Sequence, residues 1–160
     1  MGVALGGLLL GLAGPALAQT STSTVSVSTL VGKNCNITTT PVNFGSYDPV
    51  VTNAASPLDG TGSVTVSCTK GAGTRIDLGL GSNPSGSTRR MQSGGSFLAY
   101  ELYQNAGRSI AWRSGATAGQ TIAAAPNKNP RTFVVYGRVP AGQDVAAGAY
   151  NDIVLATINF

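Results

Sequence analysis

From Val25 to Val31 the chain alternates, with Val25, Val27, Thr29 and Val31 in one phase and Ser26, Ser28 and Leu30 in the other. In an extended chain such alternation sends the two sets of side chains to opposite faces. No Asn-Gly or Asp-Gly hairpin signal follows. The next residues are Gly32, Lys33, Asn34 and Cys35, so no adjacent strand is supplied to cover the valine face. The expectation is a strand given to the sheet edge of another molecule. The other end of the sequence repeats the period, with Val154, Ala156, Ile158 and Phe160 set against Leu155, Thr157 and Asn159. A strand that runs to the last residue predicts that its edge is used.

Between these two runs, short apolar or alternating stretches are separated by glycine-rich punctuation at Asp59 to Gly62, Gly71 to Gly73, Gly81 to Gly86, Gly94-Gly95, Ala141-Gly142 and Gly148. Strands are predicted at Cys35 to Thr40, Ser63 to Thr69, Arg75 to Leu80, Phe97 to Tyr103, Ser109 to Trp112, Thr132 to Arg138 and Tyr150 to Phe160. Ile76, Leu78 and Leu80 share one face, and Leu98, Tyr100 and Leu102 oppose Glu101, which sets the core side of each strand. The chain contains 22 Gly, abundant Ser and Thr, and no Glu/Lys/Ala-rich stretch at helical spacing. The fold class is all-β, in one sandwich-like domain.

Ahead of the first alternating run, Gly6 to Ala18 is apolar and leucine-rich and closes on Pro15-Ala16-Leu17-Ala18. This small-x-small pattern is the one a signal peptidase cuts, and the run is too short and glycine-rich to span a bilayer. Residues 1–18 are therefore expected to be a cleaved signal peptide, residues 19–32 an N-terminal arm, and residues 33–160 the folded domain. No Lys or Arg precedes the apolar core, which predicts a translation start upstream of Met1. In an exported chain the two cysteines, Cys35 and Cys68, have one intramolecular pairing open to them, and a disulfide is expected. Closing a loop of about thirty residues contributes roughly 4 kcal/mol in the chain-entropy account.

The formal net charge is +4 and the chain has no His. Arg89-Arg90 is the only adjacent basic pair, and the basic residues lack the aromatic interleaving of a nucleic-acid platform, so they are expected to be solvated surface charges. Without His, serine and threonine lack their usual general base and a His-ligated metal is impossible. Asp48, Asp59, Asp77 and Glu101 are expected to be turn caps and surface charge. Neither a calcium loop nor a phosphate-binding glycine loop is present. No catalysis, cofactor, metal, nucleic acid or membrane insertion is expected.

Several segments in order carry a resemblance: Val31 to Cys35, Asn43-Phe44-Gly45-Ser46-Tyr47-Asp48-Pro49, Gly60 to Gly71, Arg89-Arg90-Met91, Leu98 to Tyr103, Val135 to Gln143, and Gly148 to Val154. Together they resemble the spore coat protein U-type pilins, the subunit class of archaic chaperone-usher (Csu-like) pili. The departures are modest: Thr29 is a small donor residue, and Phe160 stands where the family ends on Tyr or Phe. The resemblance implies an incomplete immunoglobulin-like β-sandwich, completed by donor-strand complementation from a periplasmic chaperone and then from a neighbouring pilin subunit at an outer-membrane usher. Val25, Val27, Thr29 and Val31 would be the donor residues, and Val154, Ala156, Ile158 and Phe160 would line the groove edge. It implies export to the periplasm and then the cell surface, as a structural fibre subunit supporting adhesion and biofilm formation. Two alternatives stand beside it. One is a spore-coat or extracellular-matrix structural protein. The other is a secreted monomeric carbohydrate-binding β-sandwich using Trp112, Tyr100 and Tyr103 as stacking platforms.

Overall fold

Alternation of buried and half-buried positions along Ser63 to Cys68 and along Leu98 to Tyr103 decides the architecture, because each such strand must bury one face against a second layer. The computed structural model describes residues 17–160 together with Gly2 and Gly14. The apolar run expected to be a leader lies mostly outside the described residues. The chain forms two units, Met1–Leu30 and Val31–Phe160.

In the first unit, the described residues 17–30 carry neither helix nor strand. Val25 and Val27 are 87% and 90% exposed. The alternating run thus has strand-like patterning and no ladder of its own.

The second unit contains, among the described residues, β1 (Cys35–Asn43), α1 (Thr52–Ala55), β2 (Leu58–Cys68), β3 (Thr74–Leu78), β4 (Arg89–Ser93), β5 (Ser96–Tyr103), β6 (Gln120–Ile122), β7 (Arg131–Val139) and β8 (Ala156–Asn159). A five-stranded sheet has the order β1-β2-β7-β5-β4, and a three-stranded sheet the order β6-β3-β8. Every pairing between them is antiparallel. The core lies between the sheets: Val64, Val66, Leu98, Tyr100, Leu102, Val135 and Val139 come from the larger, Ile76, Leu78 and Ile122 from the smaller, and Trp112 from a loop. Cys35 and Cys68, directly opposite in the β1–β2 register, are joined by a disulfide. No helix among the described residues is long and apolar enough to cross a membrane.

The structure differs from the sequence expectations in five places. Ser109 to Trp112 is a loop with a single bridge from Ala111 to Tyr103. The Asn105 side chain accepts the Ser109 and Ile110 N–H groups and turns the chain there. Tyr150 to Phe160 enters a ladder only at β8, because β3 ends at Leu78 and the chain opposite Ile153 is a glycine-containing loop. Asp59-Gly60-Thr61-Gly62, expected as a turn, lies inside β2. Its glycines serve close approach: a Cβ on Gly62 would sit 2.7 Å from the Thr40 carbonyl oxygen. Strands β4 and β6 and helix α1, which the sequence pattern does not single out, are short and carry little apolar periodicity.

The fifth difference concerns charge. Arg89 is 0% exposed, not a solvated surface residue, and two carboxylates expected as turn caps and surface charge depart with it: Asp77 is buried against Arg75 and Asn159, and Glu101 pairs with the buried Arg89. Trp112 is also fully buried, and Tyr100 nearly so. The indole N–H donates to the Ile76 carbonyl at 2.8 Å. These two rings belong to the core and are not available as stacking platforms.

Elsewhere acidic groups do meet cations near the surface. Arg138 clasps Asp59 through two bonds of 2.7 and 2.8 Å. That hydrogen bond, aided by the charges of Arg108 and Arg138, holds the Asp59 carboxyl below its ordinary value against a smaller opposing effect of burial. A carboxyl depressed on folding contributes stability that is fully present above its unfolded value, about pH 4, and is lost as pH falls through the folded value. Asp59→Asn is therefore expected to flatten the acid limb of a stability-versus-pH curve below about pH 4, measured by urea unfolding. An unchanged acid limb would remove Asp59 from the account.

Candidate functional site

The two sheets do not close on each other. Among the described residues, β1 is the last strand of the larger sheet, paired only with β2, and β8 is the last strand of the smaller, paired only with β3. Between them lies an open cavity of about 940 Å³. One wall is Thr39 to Tyr47 and the other is Val145 to Asp152 with Val154 and Ala156. Its floor is core: Val64, Leu78, Leu98, Tyr100, Leu102, Val135 and Val139 all line it. A second opening of about 580 Å³ continues it toward Ile37 and Leu80, sharing Thr39, Val154 and Ala156 with the first. Interiors of folded domains contain few voids larger than a water molecule, so an apolar-floored trench of this size is the candidate binding surface of the domain. Both rims offer backbone N–H and C=O groups without ladder partners, which suits an extended peptide.

The wall formed by β1 depends on glycine. The β1–β2 register shifts between Thr40 and Asn43, and this irregularity turns Val42 and Phe44 inward. They pass over Gly62 and Gly137, where an added Cβ would stand 2.8 Å from a Val42 methyl and 2.7 Å from the Phe44 ring respectively. Phe44 then meets Tyr100 edge-to-face, with ring centroids 6.1 Å apart. Gly62→Ala would press on the carbonyls of Thr40 and Pro41, which are backbone and cannot swing aside. It is expected to cost about 1–3 kcal/mol of stability by overpacking. It should also weaken capture of a fluorescent peptide of residues 19–32, read by anisotropy. Unaltered peptide affinity would show that the Val42–Phe44 crossing does not shape the groove.

The opposite wall has no ladder between Val145 and Leu155 apart from a bridge of Asn151 to Gln92. Side chains hold it instead. The Tyr100 hydroxyl donates to Asp152 Oδ2 at 2.6 Å, and burial first, then that bond, pushes the phenol pKa up. Asp152 Oδ1 accepts the N–H groups of Ser82 (2.7 Å) and Ile153 (2.8 Å), tying wall, floor and the loop after β3 together. At one end Gln143 substitutes for a strand. Its amide accepts the Ala99 N–H at 2.7 Å and donates to the Ala99 carbonyl at 3.0 Å, continuing β5's pairing beyond the end of β7. The Tyr47 hydroxyl donates to the Pro140 carbonyl and accepts the Gln143 N–H, both at 3.0 Å.

Of the residues singled out in the sequence, Val154 and Ala156 line the groove and Ile158 packs on the core. Phe160 lies just past β8 and is half exposed. Val25, Val27, Thr29 and Val31 are all exposed. The structure adds Val42, Phe44, Tyr47, Gln143, Val145 and Asp152, for which the sequence pattern proposed no role in the groove. The segment from Asn43 to Pro49 drew notice only as a run of residue types. Its position as a wall depends on the inward turn of β1.

The Spore Coat Protein U domain model matches residues 21–157. The chain belongs to that family. Over 160 aligned residues it is 43% identical to Protein U of Myxococcus xanthus, covering 91% of this chain and 88% of that protein. Among solved structures it is similar to a chain in the CsuC–CsuE chaperone–tip adhesion subunit pre-assembly complex from archaic chaperone-usher Csu pili of Acinetobacter baumannii. The TM-score is 0.60 at 23% identity, over 81% of this chain and 40% of that chain. That likeness concerns the fold, which for this Spore Coat Protein U domain protein is all-β and immunoglobulin-like, as the resemblance implied.

Proposed function

We propose that this Spore Coat Protein U domain protein is a structural subunit of a surface fibre, in which the arm of each copy, residues 19–32, lies in the groove of the next. The observation that carries this reading is the groove itself: a trench floored by the core, with the free edge of β1 on one side and the ladderless segment leading into β8 on the other, neither edge paired among the described residues. The arm has the matching pattern, with Val25, Val27, Thr29 and Val31 in one phase and all exposed. Burying its three valines at ~1.5–3 kcal/mol each contributes roughly 5–9 kcal/mol before ordering costs, and backbone bonds to both rims add to it. Donation of this kind is heterologous and does not close, so it propagates as a filament.

On this reading residues 1–18 direct export, a periplasmic chaperone occupies the groove first, and an outer-membrane usher is where the next subunit's arm replaces it. Adhesion and biofilm formation are what the fibre would support. The solved relative, a chaperone–subunit complex, agrees with the first partner. The name of the matched family favours a second outcome, a coat in which the same exchange stops short of a long fibre; electron microscopy of the assembled material separates the two.

The test is size-exclusion chromatography and unboiled SDS gels of the oxidised mature chain, beside a version that begins at Gly32, each with and without its chaperone. Full-length chains are expected to form SDS-resistant multimers. Arm-less chains should stay chaperone-bound or aggregate. Stable monomers from both would show the sandwich to be complete and the reading wrong.

A further inference from the structure

The two ends of the folded unit differ in chemistry. β1 runs from Cys35, opposite Cys68, to Asn43, opposite Thr61, and β7 runs antiparallel to β2 from Arg131 to Val139. One end therefore holds the disulfide, the turn after β2 and the loop before β7. The Gly71 N–H donates to the Ala125 carbonyl and the Ala125 N–H to the Ala72 carbonyl, both at 2.8 Å, which ties that turn and loop together. Lys33, Lys70 and Lys128, all the lysines of the chain, are at this end. Each is exposed, and none is in an ion pair among the described residues.

The opposite end is built from Tyr47 to Ser56 and Pro140 to Asp144, joined by the Gly142 N–H donating to the Asn53 carbonyl at 2.8 Å. Its tip is Val50-Val51, adjacent valines that are 81% and 75% exposed. The turn carrying them is not slack. The Asp48 carboxylate accepts the Val50 and Val51 N–H groups at 3.0 and 3.1 Å. The buried Asn53 side chain accepts the Asp48 N–H and donates to the Ser56 carbonyl. Asp144 is exposed beside it, without a cationic partner among the described residues. The basic groups on this half are committed elsewhere: Arg138 and Arg108 to Asp59, and Arg90 to the Asn83 carbonyl and the Phe97 ring.

The tether between arm and body is short. Only Gly32, Lys33 and Asn34 separate Val31 from Cys35, a reach of about 13 Å for the four peptide steps. Wherever a donated arm leaves the receiving groove, the lysine end of its own copy must follow closely. If the arm left at the receiver's lysine end, three ammonium groups would face three more, which is repulsive. If it left at the other end, the lysines would meet Asp144 and the Val50-Val51 tip. Charge selects the second direction.

We infer that in the assembled fibre the Val50-Val51 tip and Asp144 of each copy seat against the Lys33, Lys70 and Lys128 end of the copy whose arm it holds. This second contact between neighbours rests on the strand-donation reading above. It fixes the angle between successive bodies, which the arm, ending in a glycine, leaves free. Rigid apolar tips beside a charged rim are the usual anatomy of such contacts.

The test is zero-length carbodiimide coupling of wild-type fibres assembled from a mixture of unlabelled and 15N-labelled chains, with peptide mapping by mass spectrometry. Isopeptide links from Lys33, Lys70 or Lys128 to Asp144 or Asp48 are expected, with mixed isotopes marking them as intermolecular. Asp144→Asn should remove the links to residue 144. Val50→Ser with Val51→Ser should keep the SDS-resistant multimers while lowering the yield of links to background. Multimers without any such link would overturn this contact and leave strand donation intact, with the lysine end then free for an outside polyanion. Links made at full yield by the valine variant would overturn the role of the tip. A wild-type chain that forms no multimers would sink the strand-donation reading and this contact with it.

Discussion

Replacing Arg89 by methionine is expected to lower the stability of the oxidised domain by about 3–5 kcal/mol, the cost of breaking a buried, fully bonded charge pair from one side. The guanidinium is 0% exposed. It donates to the carbonyls of Gly79 (2.8 Å), Leu78 (3.0 Å) and Trp112 (2.7 Å), and to Glu101. Those partners lie on or just after β3, on β5 and in the loop of Trp112, so this side chain from β4 binds the larger sheet to the smaller. Burial pulls its pKa down, and the charge of Glu101 opposes that fall. Methionine would keep much of the volume and none of the donors, leaving the Gly79 and Trp112 carbonyls without the guanidinium, the Leu78 carbonyl with only the Ser114 hydroxyl, and Glu101 with Arg113 as its one cationic partner beside the Leu102 N–H. Lysine would not repair it, since an ammonium cannot reproduce the planar fork. The measurement is the urea midpoint with the 19–32 peptide saturating the groove. A second variant, Arg89→Met with Glu101→Gln, should recover part of the loss by removing the stranded charge. A single mutant with the wild-type midpoint would mean that the network is dispensable.

The second large effect is on assembly. Val27→Asp with Val31→Asp is expected to abolish SDS-resistant multimers while leaving a chain that still accepts an arm. Two valines lose ~1.5–3 kcal/mol of burial each, and two carboxylates would enter a floor made of Val64, Leu98, Leu102 and similar side chains. A penalty of about 6 kcal/mol corresponds to roughly four orders of magnitude in affinity. Because the receiving groove is untouched, mixing the variant with wild-type chains should shorten fibres in proportion to its share, each variant capping one growing end. Fibres of normal length at high variant fraction would mean that these residues are not the donor.

These two cases mark what could be read at each level. The paired β-strands around Val64, Leu98 and Val135 follow from alternation, since a strand with one buried face has a period of two whatever it packs against. The inward phase of Val154, Ala156 and Ile158 followed the same rule although most of that segment forms no ladder. With two cysteines, one intramolecular pairing was open, and the structure contains it. Arg89 was misread because a charged residue beside another charged residue carries no local sign of burial. Its partners are 10 to 23 positions away in the sequence and converge only when the sheets stack.

The glycines of β2 were misread for a related reason. Gly60 and Gly62 look like a turn, and their true constraint is the chain from Thr40 to Phe44 crossing above them, far from them in sequence. The alternation of Val25 to Val31, the strand periods and the family were determined by the sequence alone, through short-range pattern and the order of segments. The groove, its Asp152–Tyr100 and Gln143–Ala99 ties, and the contrast between the lysine end and the valine tip were decided by the tertiary structure. Each depends on which distant backbone groups find partners and which strand edges are left without one.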